Sequence, residues 1–223
     1  TPVAACLYGI DVLARKKWNA QPDLVISGPN EGNNTGHINA SSGTFNNLLY
    51  AVNRNLPALA VSDFTSTQVT WSTSLPTTHR AYEVADIVVR LVKGLVDNKA
   101  VAGGLLMPVG VGLNVNVPDF AAGAGTAQQF KFTKVGKATA YGPAFFEKLS
   151  DSPLAVAAGV NYALPGISLA TGGTTLPSGS TIPADTNPAS EQNVLNAKGF
   201  VTLSPIEGVP QARRSLEDAL RLK

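Results

Sequence analysis

Cysteine occurs once in the 223-residue chain, at Cys6, so no intrachain disulfide can form and a metal site built on cysteines is excluded. Charge is scarce as well. Asp, Glu, Lys and Arg make up 14% of the residues, and the net charge of +2 is too small to attract a nucleic-acid polymer or an anionic membrane by electrostatics. No apolar run approaches the ~18 residues of a membrane span. The chain opens on Thr1-Pro2, with no initiator Met, basic n-region or apolar h-region, as expected if a leader and more were removed or if it is a fragment of a longer reading frame. A G-x-S-x-G nucleophile elbow is missing; the nearest stretch, Gly166-Ile167-Ser168-Leu169-Ala170, lies in a loop-like region, which argues against a serine hydrolase. G-x-G-x-x-G with a downstream acid is also missing, which argues against a dinucleotide enzyme. Gly, Pro, Asn, Ser and Thr take the place of the charges. The 44% apolar content suffices for the core of one large α/β domain, or of a domain with an appendage.

The chain is organised around Asp23 to Thr44. Leu24 to Ser27 reads as a buried parallel strand, a short apolar run containing β-branched residues. The Gly/Asn-dense loop after it, from Gly28 to Gly36, is composed against helix or strand interior. Ser42 stands at the N-cap of a helix beginning near Phe45. Strand, glycine-rich loop and capped helix hold phosphate, because free N–H groups and the positive end of the helix dipole point into the loop.

Read as S-G-P-N-E-G-N-N-T-G, then S-G-T, a helix and Leu56-Pro57-Ala58-Leu59-Ala60-Val61-Ser62, this stretch resembles the SurE family of metal-dependent nucleotidases and acid phosphatases. Leu113-Asn114-Val115-Asn116-Val117-Pro118 and Gly199-Phe200-Val201-Thr202-Leu203-Ser204-Pro205-Ile206 resemble two further blocks of that family, and about 143–190 is not covered. The resemblance implies a three-layer α/β/α Rossmann-like sandwich with a C-terminal β-rich arm. Residues 1–142 would form the core, and 143–223 an inserted loop region plus the strand and helix that complete the domain. It also implies hydrolysis of nucleoside 5′- or 3′-monophosphates or related phosphate monoesters, a divalent Mg²⁺ or Mn²⁺ cofactor, and a homodimer or tetramer.

By the same resemblance Asn30 occupies the family's metal-ligand position and carries catalysis with Ser42. Asn34 orients substrate or the loop, and Ser42, Gly43 and Thr44 receive phosphate at the helix start. Gly28, Gly32 and Gly36 allow the tight backbone turns. The plain alternatives are a turn-forming Asn30 with no ligand and a Ser42 that only caps its helix, and the two roles of Ser42 can coexist. Glu31 and His37 read as solvated side chains, though His37 could protonate a leaving group. Family members draw their principal metal carboxylates from an N-terminal N-D-D segment that this sequence lacks. Glu217-Asp218, the only acidic pair, lies in a C-terminal helix and reads as a solvated face. The chain alone is therefore expected to be weakly active or inactive. The alternative function is a non-catalytic phosphate- or nucleotide-binding module, or an inactive remnant of a phosphatase fold.

Elsewhere, residues 2–16 read as an amphipathic helix capped by Thr1, with Cys6 a small core residue on its apolar stripe. Ala58 to Ser62 reads as a strand with Asp63 beyond its end, a position suited to ligands or to a loop cap. Residues 64–77, with Trp71, form a loop, Thr78 to Asn98 the longest helix and Gln128 to Val135 an antiparallel or edge strand. Leu164 to Ala189 is an extended arm or a disordered linker, and 213–223 a closing helix. Two formal glycosylation sequons, at Asn33 and Asn39, read as coincidental because glycans there would block the loop. Low charge with abundant Asn, Ser, Thr and Gly resembles a periplasmic or secreted protein more than a cytoplasmic one.

Overall fold

The computed structural model describes residues 1–65, 75–99, 103–176, 178–197 and 199–208. Its centre is a five-stranded sheet of β1 (Val25–Glu31), β2 (Ala58–Asp63), β3 (Val111–Val117), β7 (Phe200–Glu207) and β4 (Gln129–Phe132), in that order. β1, β2 and β3 run parallel, β7 runs against β3, and β4 lies parallel to β7 at the edge. A separate ribbon pairs β5 (Tyr141–Phe146) with β6 (Gly166–Thr171) in antiparallel register, so part of the charge-poor region after residue 164 is ordered as an arm.

Three layers follow from the two-residue alternation of β2, which is buried on both faces. Leu59 and Val61 face α4 (Arg80–Asp97) and meet Val84, Ile87, Val88 and Leu91. Ala58 and Ala60 face α3 (Gly43–Val52) and pack with Leu48, Ala51 and Val52. Burying one such Leu or Val completely contributes about 1.5–3 kcal/mol, so these two clusters hold the sheet between its helices. The N-terminal helical segment comprises α1 (Pro2–Tyr8), a π turn at Gly9–Ala14 and α2 (Arg15–Trp18), and it lies over α3 through Cys6 and Ile10. The Thr1 side chain caps α1 by accepting from the Ala4 amide. α5 (Pro153–Ala157) and α6 (Glu191–Asn196) are short.

Two strand expectations change. β4 is an edge strand, but it is parallel to its neighbour. β1 does not stop at Ser27; it continues through Gly28 and Pro29 to Glu31, so the first part of the glycine-rich loop is strand. Trp71 and the helix expected over 213–223 lie outside the described residues. No helix among the described residues is long and apolar enough to cross a membrane.

Candidate functional site

The prolongation of β1 places Asn30. Between Ser27, opposite Ala60, and Asn30, opposite Ser62, β1 carries one residue more than β2, and the surplus is taken up in a bulge. Only glycine fits its first position: Gly28 has φ +106°, and a Cβ there would sit 2.1 Å from the Val61 carbonyl oxygen. Beyond the bulge, Asn30, Ser62, Asn116 and Thr202 stand side by side across four strands at the carboxyl ends of the parallel ones. In open α/β sheets this edge is where ligands bind.

All the hydrogen-bonding capacity of the Asn30 amide is engaged. Its Oδ1 accepts from the Ser62 hydroxyl (2.8 Å) and Asn34 Nδ2 (2.7 Å), while its Nδ2 donates to the carbonyls of Glu31 (2.8 Å) and Gly32 (3.0 Å). Asn34 Nδ2 also donates to Ser62 Oγ at 2.7 Å. Asn30, Asn34 and Ser62 thus form one closed triangle.

The loop after β1 is held from beneath. Asn116 accepts from the Asn34 amide (2.8 Å) and returns its Nδ2 to the Asn34 carbonyl (3.0 Å), which Asn114 Nδ2 also reaches (2.9 Å). From the far end of the chain, Glu191 and Gln192 enter the same space, respectively 0% and 4% exposed. Glu191 Oε1 accepts from the Gly36 amide (3.0 Å) and Asn39 Nδ2 (3.2 Å), and Oε2 from Asn114 Nδ2 (3.0 Å) and Ser204 Oγ (2.8 Å). Gln192 Oε1 accepts from Asn33 Nδ2 and Thr35 Oγ1, both at 2.7 Å.

Burial pushes the Glu191 carboxyl up to about 7, against the pull of the four donors. Because this lies above the ordinary 4.5, the folded chain binds the proton more tightly than the unfolded one. The associated stability is complete below pH ~4.5 and is lost as pH rises through about 7. Urea titrations should show the wild type losing roughly 3 kcal/mol over that window relative to Glu191→Gln, which has no proton there to lose. Parallel pH profiles for the two proteins would contradict this.

Asn30 also lines a cleft of about 1090 Å³, together with Glu31, Asp63, His79, Arg80 and Phe120. Asp63 is held in an ion pair. Its carboxylate receives the Arg80 guanidinium at both oxygens, while Arg80 also donates to the Pro118 carbonyl (2.7 Å) and lies over the Phe120 ring. Burial raises the Asp63 carboxyl, and Arg80 draws it back. Ser42, Gly43 and Thr44 lie outside this cleft's lining. The Ser42 hydroxyl caps α3 by accepting from the Phe45 amide (3.1 Å), and Gly43 is packed against Pro2.

Mg²⁺ and Mn²⁺ take several oxygen ligands, carboxylates among them. Among the described residues no group of three or more His, Cys, Asp or Glu could hold such an ion. The Asn30 oxygen already accepts two hydrogen bonds, one of them from a hydroxyl that can rotate away. By themselves the described residues do not fit a cation site; they offer one neutral ligand to it.

The other candidates take structural positions. Gly32 and Gly36 have positive φ, like Gly28, and a Cβ on Gly36 would meet the Ala138 carbonyl at 2.2 Å. Glu31 and His37 are exposed, and His37 lies against Gly142 of the ribbon. His79 caps α4 through Nδ1. The Cys6 thiol sits 4.0 Å from the Asn47 carbonyl and is raised by burial, which keeps it protonated. Asn33 and Asn39 are 1% and 4% exposed, so neither sequon can take a glycan in this fold. Glu191 and Gln192 are the residues that sequence reasoning did not single out. The available signal was the alternation of Asn114 and Asn116, and of Thr202 and Ser204, which sets a polar face inside the sheet that needs a buried partner.

Residues 1–141 match the family model described as "Survival protein SurE". An acid phosphatase of Yarrowia lipolytica is 38% identical over 122 residues, covering 53% of this chain and 33% of that protein. A 5′-nucleotidase SurE of Thermoanaerobacter is 37% identical over 126 residues, covering 55% of this chain and 40% of that protein. The matched region thus spans between a third and two-fifths of these relatives' length. The crystal structure of the SurE protein from Aquifex aeolicus superposes with a TM-score of 0.63 at 22% identity, over 98% of this chain and 71% of that one, which is a likeness of fold.

Proposed function

The chain belongs to the SurE family, and on that premise we propose that it forms part of a metal-dependent phosphatase acting on nucleoside monophosphates or related phosphate monoesters. The observation that carries this reading is the Asn30–Asn34–Ser62 triangle, fixed at the carboxyl edge of the parallel strands and bordering a cleft with room for a nucleotide. The relatives named as acid phosphatase and 5′-nucleotidase support the reaction class.

In this proposal the Asn30 and Asn34 side chains orient the phosphoryl group. A bound divalent cation would polarise the phosphoryl group and supply activated water. Asn30 would contribute one neutral ligand to it, and the described residues add no carboxylate cluster. By family resemblance the protein works as a homodimer or larger assembly.

One observation favours a second reading. The Asn30 oxygen is already satisfied by protein donors and no carboxylate cluster accompanies it among the described residues, as suits a module that binds phosphate without cleaving it. Phosphate release from AMP and p-nitrophenyl phosphate, measured with Mn²⁺ and with EDTA on the protein from its complete reading frame, separates the two. Turnover with Mn²⁺ that EDTA abolishes is the expected result. AMP binding that survives EDTA without hydrolysis would establish the binding module instead.

A further inference from the structure

Glu191 is completely buried and, among the described residues, takes its four hydrogen bonds from neutral donors on three separate segments. Two of those donors are side-chain amides whose own oxygens, Asn39 Oδ1 and Asn114 Oδ1, are buried without a hydrogen-bond partner in the structure. An amide that turns its NH₂ group to a neighbour and leaves its oxygen empty is responding to a strong acceptor. A charge-assisted bond to a carboxylate is about twice as strong as a neutral one, which offsets the orphaned oxygens. The four donors therefore favour the ionised carboxylate, and it is burial that opposes them and raises the group. A neutral amide in the same place would set its NH₂ group against the NH₂ of Asn114 or against the Gly36 amide and Asn39.

From Glu191 the line of contacts runs unbroken to the site. Asn114 Nδ2 bonds both Glu191 and the Asn34 carbonyl, and Asn34 Nδ2 holds the Asn30 oxygen. Gly36, whose amide Glu191 receives, closes the same loop from the other side.

We propose that Glu191 is the positioning residue of this site: through Gly36, Asn39 and Asn114 its carboxylate sets the loop that aims Asn30 and Asn34 at the substrate phosphate. It acts only through those residues, being sealed from solvent and substrate. The proposal rests on the phosphatase reading above, and its test separates the two.

Glu191→Gln in the full-length protein keeps volume and shape while removing the charge. The expected result is a fall of about 100-fold in kcat for p-nitrophenyl phosphate with KM changed by less than about threefold. Amide hydrogen exchange should quicken by about tenfold or more at Asn34 and Gly36 while β2 and β3 keep wild-type protection. A variant with wild-type kcat and wild-type exchange at Gly36 overturns the proposal. So does a loss of kcat accompanied by lost protection throughout β2 and β3, which is the signature of a merely structural residue. If the wild type hydrolyses nothing, the phosphatase reading fails by itself, and exchange at Asn34 and Gly36 alone decides whether Glu191 sets the loop. Should Glu191→Gln not fold, Asn39→Ala decides, since it removes one donor and keeps the carboxylate. About tenfold faster exchange at Gly36 supports the proposal, and unchanged exchange overturns it.

Discussion

Gly28→Ala should cost at least ~3 kcal/mol of stability and leave little folded protein. The expectation has two independent sources. At φ +106° an L side chain is strained whatever surrounds it, and here the added Cβ would lie 2.1 Å from the Val61 carbonyl oxygen. Val61 is a fully buried residue of the central strand β2, so neither partner can move without disturbing the sheet. Gly110 is the control. Its φ is +78°, but nothing lies within 4 Å of its missing Cβ, so Gly110→Ala should show the conformational cost alone, about 1–2 kcal/mol. Urea unfolding of the two variants separates clash from strain. Equal losses would mean that the bulge does not depend on close approach.

Arg80→Ala should cost about 3–5 kcal/mol, the usual consequence of breaking a buried pair and leaving one charge behind. The side chains of Arg80 and Asp63 are 13% and 15% exposed. Removing the guanidinium deprives Asp63 of the two bonds it receives from Arg80, the Pro118 carbonyl of a donor and Phe120 of the cation above its ring. Burial already raises the Asp63 carboxyl, and Arg80 is what lowers it. Without Arg80 its folded pKa climbs further above the ordinary 3.8, so the penalty grows as pH rises and is smallest in acid. The double variant Asp63→Asn with Arg80→Met should recover much of the loss, because no unpaired charge remains. A loss for Arg80→Ala below ~1 kcal/mol, flat with pH, would show the pair to be as weak as an exposed one.

Much of this architecture is legible in local sequence because its causes are local. Thr1-Pro2 and Ser42 announce helix starts through capping chemistry, and the all-apolar run at 58–61 announces a strand buried on both faces. The site is less legible, since it is made by contacts across long stretches of chain. Gly28-Pro29 reads as the end of a strand, yet Asn30 regains register with Ser62 one bulge later. The surplus residue is visible only once β2 is placed alongside. Glu191 sits at the end of a Gly/Thr/Pro/Ser-rich stretch with no periodicity, and its partner Gly36 is 155 residues away. Asn114, Asn116, Thr202 and Ser204 do alternate in a readable way. Their pattern says that a polar face is buried, while only the fold says that a carboxylate fills it.

The central claim is that the loop bearing Asn30 is the working part of a phosphatase. Phosphate release from AMP, with Mn²⁺ present, by the full-length protein and its Asn30→Ala variant tests it most directly, with circular dichroism to confirm that both are folded. The account predicts turnover by the wild type and a loss of at least about 100-fold in the folded variant. A folded Asn30→Ala protein that releases phosphate at the wild-type rate would contradict it.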